Sequence, residues 1–184
     1  TAIRASKNEK FAVYPYLHER VHSKGQLAFL AACGVKTILL SESSTTTFSY
    51  FSSYQFNAHA FTVELGKVRP FGQNDMSRFE DARQAITQLI TQAEYAPTVD
   101  MDELDIYRVN QVINRNEEQF TLHFDDDTPN FTDYPKGTVL ASEPGKEYIA
   151  EQDGEAIVFP NAKVAIGQRA LLTVVPTTLD KLDV

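Results

Sequence analysis

The chain has 184 residues, 42% of them hydrophobic and 23% charged, enough for the packed core of one medium domain or of one small domain beside part of another. A formal net charge of -8, with no dense basic patch, argues against a phosphate backbone or an anionic membrane surface as partner. A single cysteine, Cys33, excludes an internal disulfide and cysteine-rich zinc modules and fits a reducing cytoplasm. No apolar run reaches the length of a membrane span.

The N-terminus, Thr1-Ala2-Ile3-Arg4, has neither a start methionine nor a signal-peptide profile, so the chain reads as the C-terminal part of something longer. FAVYPY, 11 to 16, is aromatic and apolar and stops near Pro15, which suits a strand. Helical spacing follows in KGQLAFLAACG, where Leu27, Leu30 and Ala31 share a face and Gly34 is placed for a left-handed C-terminal turn. VKTILL, 35 to 40, is the β-branched and leucine run of a strand buried in a mixed sheet. SESSTTT reads as a loop, FSYFSSYQF as a segment that can be helical, and AFTVEL, 60 to 65, as a further core strand carrying Glu64 at its end.

Ser77 and Glu80 match the S-x-x-E capping box, ahead of a helix in which Phe79, Ala82, Ile86, Leu89, Ile90 and Ala93 recur at helical spacing and are expected to pack on the sheet. The pattern changes at APTVDMDELD, 96 to 105, where proline and acids mark a linker. Beyond it IYRVNQVI, QFTLHF, GTVLAS, EYIAE, AIVFP and ALLTVV read as strands of a small, barrel-like β domain, with Pro135-Lys136-Gly137 and Asp153-Gly154 as turns. The expected organisation is an α/β unit over 1–98 followed by a β-rich unit over 99–184, with a loose tail at the end.

Several residues are candidates for chemistry. HERVH, 18 to 22, fits the HExxH pattern, in which one helix face presents two histidines to zinc and a glutamate to the metal-bound water. His18, Glu19 and His22, with Glu42 as a third ligand, would then form a peptidase site. The motif, however, follows a strand containing Pro15 and precedes Ser23-Lys24-Gly25, which leaves room for a couple of turns at most, and two loop histidines satisfy the same letters. Glu64, at a strand end with Gly66 and Lys67 behind it, is placed where α/β sheets hold catalytic groups; a solvated acid and a surface lysine are the bland counterpart. Arg4 can bind a carboxylate through a bidentate pair or bridge to Glu9. His123 with Asp125, Asp126 and Asp127 reads as an acidic turn ahead of Thr128-Pro129-Asn130, and Cys33 as packing on a helix face.

TAIR at the N-terminus, VELGK and PFGQND in the middle, and KGTVLA, IVFPN and VAIGQRA near the end resemble the succinylglutamate desuccinylase/aspartoacylase family, built on the zinc carboxypeptidase fold. The similarity runs in order from Thr1 to about Val175. It implies an α/β fold, part of a zinc carboxypeptidase-like mixed-sheet domain followed by a small β-rich domain. It also implies one zinc ion whose ligands would all precede Thr1, and gives Glu64 the role of general base toward the hydrolytic water. The implied reaction is hydrolysis of the amide of N2-succinylglutamate to succinate and glutamate, in cytoplasmic arginine breakdown by the succinyltransferase route; other N-acyl amino acids, as for aspartoacylase, are the alternative. Such a substrate is a small polycarboxylate, for which Arg4 and Lys67 are the candidate cations. HERVH falls in a stretch where the family keeps no metal ligands. Where relatives carry an arginine ahead of the catalytic strand, FSSYQFNAHAF, 51 to 61, has none, so Tyr50 and Tyr54 either donate hydrogen bonds there or pack.

Overall fold

The computed structural model describes residues 8–17, 20–43 and 46–179, so Arg4, His18 and Glu19 lie outside the described residues. The first half builds β1 (Phe11–Pro15), α1 (Lys24–Ala32), β2 (Thr37–Ser41), α2 (Phe48–Phe56), β3 (Thr62–Glu64) and α3 (Glu80–Thr91). The second builds β4 (Asp105–Asn114), β5 (Thr121–Leu122), β6 (Thr132–Tyr134), β7 (Val139–Glu143), β8 (Lys146–Ile149), β9 (Glu155–Val158) and β10 (Arg169–Pro176).

Seven strands form one mixed sheet in the order β3-β1-β2-β4-β10-β9-β6, and β5, β7 and β8 form a small antiparallel sheet. β1 and β2 run parallel, joined through α1, as a strand-helix-strand unit requires. The irregular connection around residue 98 does not interrupt the sheet, because β4 pairs in parallel with β2 from Thr37↔Asp105 to Leu40↔Arg108 and antiparallel with β10 on its other side. β4 therefore joins the two halves through main-chain hydrogen bonds.

The alternation of side chains along the strands sorts the core into two faces. Ala12 and Tyr14 of β1 and Ile38 and Leu40 of β2 pack with Leu27 and Leu30 of α1 and with Ala82 and Ala85 of α3. Phe11 and Leu39 face the other way and pack with Phe131, Ala156, Val158, Leu172 and Val174. A third cluster around Ile113, Leu140, Ala150 and Leu171 fills the β-rich end. α1 closes as expected: Gly34 takes φ 74°, and the N–H groups of Gly34 and Val35 satisfy the Ala31 and Leu30 carbonyls. A Cβ at Gly34 would also come within 2.8 Å of an Asp81 carboxylate oxygen.

Three expectations are corrected. The helix start uses no Ser77 capping box: Asp75 Oδ1 accepts from both the Ser77 N–H and its hydroxyl, a 3-10 turn over Met76–Phe79 leads in, and Glu80 is drawn into contacts with Arg83 and Gln84. A carboxylate two residues upstream is the stronger acceptor. α3 packs through its alanines, whereas Ile86, Leu89 and Ile90 are 48%, 52% and 76% exposed. β3 is an edge strand, half-buried rather than core. β6, to which the sequence pattern assigns no element, is a three-residue strand paired with β9.

Candidate active site

β3 pairs antiparallel with β1 so that Thr62 stands opposite Val13 and Glu64 opposite Phe11. Residues directly across an antiparallel ladder share a face. Glu64 therefore lies on the face of Phe11 and Leu39, away from α1 and α3. Glu64 lines a cavity of about 220 Å³ whose apolar lining includes Val13, Leu39, Val109 and Leu172. Its Oε2 atom is shut off from solvent.

The rim is set by α2. Thr47 caps the helix by accepting from the Tyr50 N–H at 3.3 Å, and Ser49 hydrogen-bonds the Thr62 hydroxyl at 3.0 Å, which ties the helix start to the strand that carries Glu64. Tyr50 lines the cavity, and its ring stacks on Tyr54 at a centroid distance of 5.7 Å and an interplanar angle of 9°. This pair packs face to face, and no arginine stands in 51–61. The cation lining the cavity comes instead from the far end of the chain: Arg169, at the start of β10, borders the same space as Glu64, with Phe159 beside it. Sequence reading passed over Arg169 although VAIGQRA contains it, because only the β10–β4 and β4–β2 pairings bring that strand to the cavity.

Lys67 lines a different, polar cavity of about 610 Å³ together with Arg69, Asp75 and Arg78. Glu9, on the same cavity, forms an ion pair with Arg78. The structure thus does not bring Lys67 into the lining of the Glu64 cavity.

The HExxH reading is overturned where it can be seen. α1 begins at Lys24, beyond the motif, so residues 20–22 do not present a helix face. His22 is buried, stacked on Tyr16 at 4.7 Å, with Nδ1 3.1 Å from the Tyr14 hydroxyl and Nε2 3.2 Å from the Leu17 carbonyl. Both ring nitrogens are engaged by the protein. Glu42 is exposed just past β2. His123 Nε2 lies 2.7 Å from the Ser142 hydroxyl. Among the described residues no group of three His, Cys, Asp or Glu is arranged to hold a metal ion, so the zinc implied by the resemblance finds no ligand set there.

The fold class is thus a mixed α/β sheet extended by a smaller antiparallel β unit, with one carboxylate at a strand end in a cavity. The family model described as the succinylglutamate desuccinylase/aspartoacylase catalytic domain matches residues 1–90, and the one described as the AstE/AspA barrel-sandwich hybrid domain matches residues 102–177. The chain belongs to the succinylglutamate desuccinylase/aspartoacylase family.

Among curated relatives, a succinylglutamate desuccinylase of Pseudoalteromonas atlantica is 64% identical over 98% of this chain and 52% of its own length. That of Idiomarina loihiensis is 54% identical over 100% and 54%. Solved succinylglutamate desuccinylases of Vibrio parahaemolyticus and Vibrio cholerae superpose with TM-scores of 0.83 and 0.86, at 40% and 36% identity; the matches cover 95% and 98% of this chain and 51% and 53% of theirs. The chain spans about half the length of the relatives it matches.

Proposed function

We propose that this chain supplies the general base and one wall of the active site of an amidohydrolase that cleaves N2-succinylglutamate to succinate and glutamate. The observation that carries the reading is Glu64: within VELGK, at the end of β3, it lines a cavity with an apolar floor and a hydroxyl-bearing rim. The names of the relatives support the substrate.

In the proposed reaction Glu64 takes a proton from the attacking water, whose oxygen bonds to the succinyl carbonyl carbon. The carbon–nitrogen bond then breaks, and Glu64 returns the proton to the departing amine of glutamate. Val13, Leu39 and Leu172 give the cavity an apolar floor, against which a bound substrate would be shielded from bulk water, which strengthens electrostatic contacts. A zinc ion is part of the proposal, held by ligands outside the described residues. Arg4 and Lys67 are the cations first proposed for the substrate; Arg4 lies outside the described residues and Lys67 lies on the neighbouring cavity. Cytoplasmic arginine breakdown by the succinyltransferase route is the proposed setting. No helix among the described residues is long and apolar enough to cross a membrane.

The test is product analysis. The intact protein, given N2-succinylglutamate and N-acetylaspartate in parallel, is expected to release succinate and glutamate in equal amounts and to act far more slowly on the acetyl compound. Preference for N-acetylaspartate would place it on the aspartoacylase side of the family.

A further inference from the structure

The substrate proposed above carries three carboxylates, and Glu64 adds a fourth negative charge to the cavity. Apart from Glu64 and Arg169, the cavity is lined by hydroxyl-bearing and apolar side chains, so Arg169 is the cation of its described lining. It stands on a prepared support. Its guanidinium carbon lies 5.7 Å from the centroid of the Phe159 ring, within range of a cation–π contact. Phe159 holds φ 53°, a left-handed conformation that a bulky side chain rarely adopts, and its N–H donates to the Oδ1 of Asn130 at 2.8 Å. Asn130 is itself buried. Backbone strain of this kind persists only where surrounding contacts hold it.

β10 contributes a second device. Its ladder with β4 shifts register between Arg169 and Leu171, where Ala170 and Leu171 are both buried while Arg169 stays exposed. Such a bulge re-aims the side chain at the strand end. No carboxylate of the described residues lies within ion-pairing distance of Arg169. Partial loss of hydration alone lowers its pKa from the ordinary arginine value, and it stays cationic.

We propose that Arg169 binds either the acyl or the side-chain carboxylate of the acyl amino acid substrate, from the β10 wall of the cavity that Glu64 lines from β3, and is a specificity-determining residue of this site. The inference rests on the desuccinylase reading. The planar guanidinium matches a carboxylate bidentately, which a hydroxyl or a lysine cannot do. It offers the positive charge that 51–61 lacks.

The experiment compares kcat/KM of the intact enzyme on N2-succinylglutamate, on N2-butyrylglutamate, which lacks the acyl carboxylate, and on N-succinylnorvaline, which lacks the side-chain carboxylate. The unaltered enzyme is expected to prefer the parent over one of these analogues by about 10- to 100-fold, the scale of a charged hydrogen-bonded contact. In Arg169→Ala that ratio falls to about one while the other analogue keeps its ratio, and Arg169→Lys restores part of it. If Arg169→Ala fails to fold, as judged by its circular dichroism, Arg169→Gln and Arg169→Lys carry the same comparison. Ratios unchanged in these variants, or an equal loss on all three compounds, would overturn the assignment. An unaltered enzyme that hydrolyses none of the three compounds would instead overturn the desuccinylase reading, and this inference with it.

Discussion

Glu64 stands directly across from Phe11 in the antiparallel β1–β3 pair, and that register decides which side of the sheet carries the acid. Phe11 is fully buried against Phe131 and Phe159 on the face opposite α1. A slip of one residue would turn Glu64 toward the helix layer and leave the cavity without a base.

The support under Arg169 is open to a direct perturbation. Asn130→Ala removes the acceptor for the Phe159 N–H and leaves a donor unpaired beside the core. The expected cost is about 1–3 kcal/mol, which lowers the melting temperature by several degrees at this chain size. KM for the substrate should rise as Phe159 relaxes. A melting temperature equal to the parent's would contradict the role given to Asn130.

Acid stability follows from two carboxylates in the β-rich end. Glu143 accepts from the Asn116 side chain and the Tyr148 hydroxyl, and from the N–H groups of Asn116 and Glu117, which holds its pKa down at about 2. Burial pushes Glu155 up, but hydrogen bonds from Thr173, Asn110, Gln111 and the Glu151 N–H outweigh it, so its pKa is lowered. A carboxylate depressed in the folded state contributes fully above its unfolded pKa, near 4.3, and its contribution is lost as pH falls toward the folded value. Denaturation measured between about pH 5 and pH 2 should therefore show stability falling with pH, and Glu143→Gln should flatten the slope. An identical slope in that variant would show that these bonds are not the source.

His22 offers a test of the abandoned HExxH site. His22→Ala should destabilise by about 1–3 kcal/mol, through the lost contacts to Tyr14 and Tyr16, with metal content and turnover per folded molecule unchanged. Loss of bound zinc in the folded variant would restore the motif as a ligand.

The elements that were legible in the sequence are those defined by local pattern. β1, α1 and β2 follow from periodicity, and Gly34 from the need for a positive φ. Glu64 is legible through its strand-end position and the VELGK resemblance. What escaped notice depends on partners far along the chain. The β2–β4 pairing that carries the sheet across the connection around residue 98 leaves no local signature, because parallel neighbours are joined by long connections. β6 has three residues, too few for an alternation to register. α3 displays a leucine and isoleucine stripe, yet it meets α1 and the sheet through two small alanines. Arg169 reaches the cavity only because β10 lies next to β4.

The central claim is that Glu64 moves the proton during amide hydrolysis. Glu64→Gln keeps the size of the side chain and removes its basicity, so single-turnover and steady-state rates on N2-succinylglutamate measure that role directly. The predicted result is a fall in kcat of about 10²- to 10⁴-fold with KM within a few-fold and the fold intact. A variant turning over within a few-fold of the unaltered enzyme would contradict the assignment.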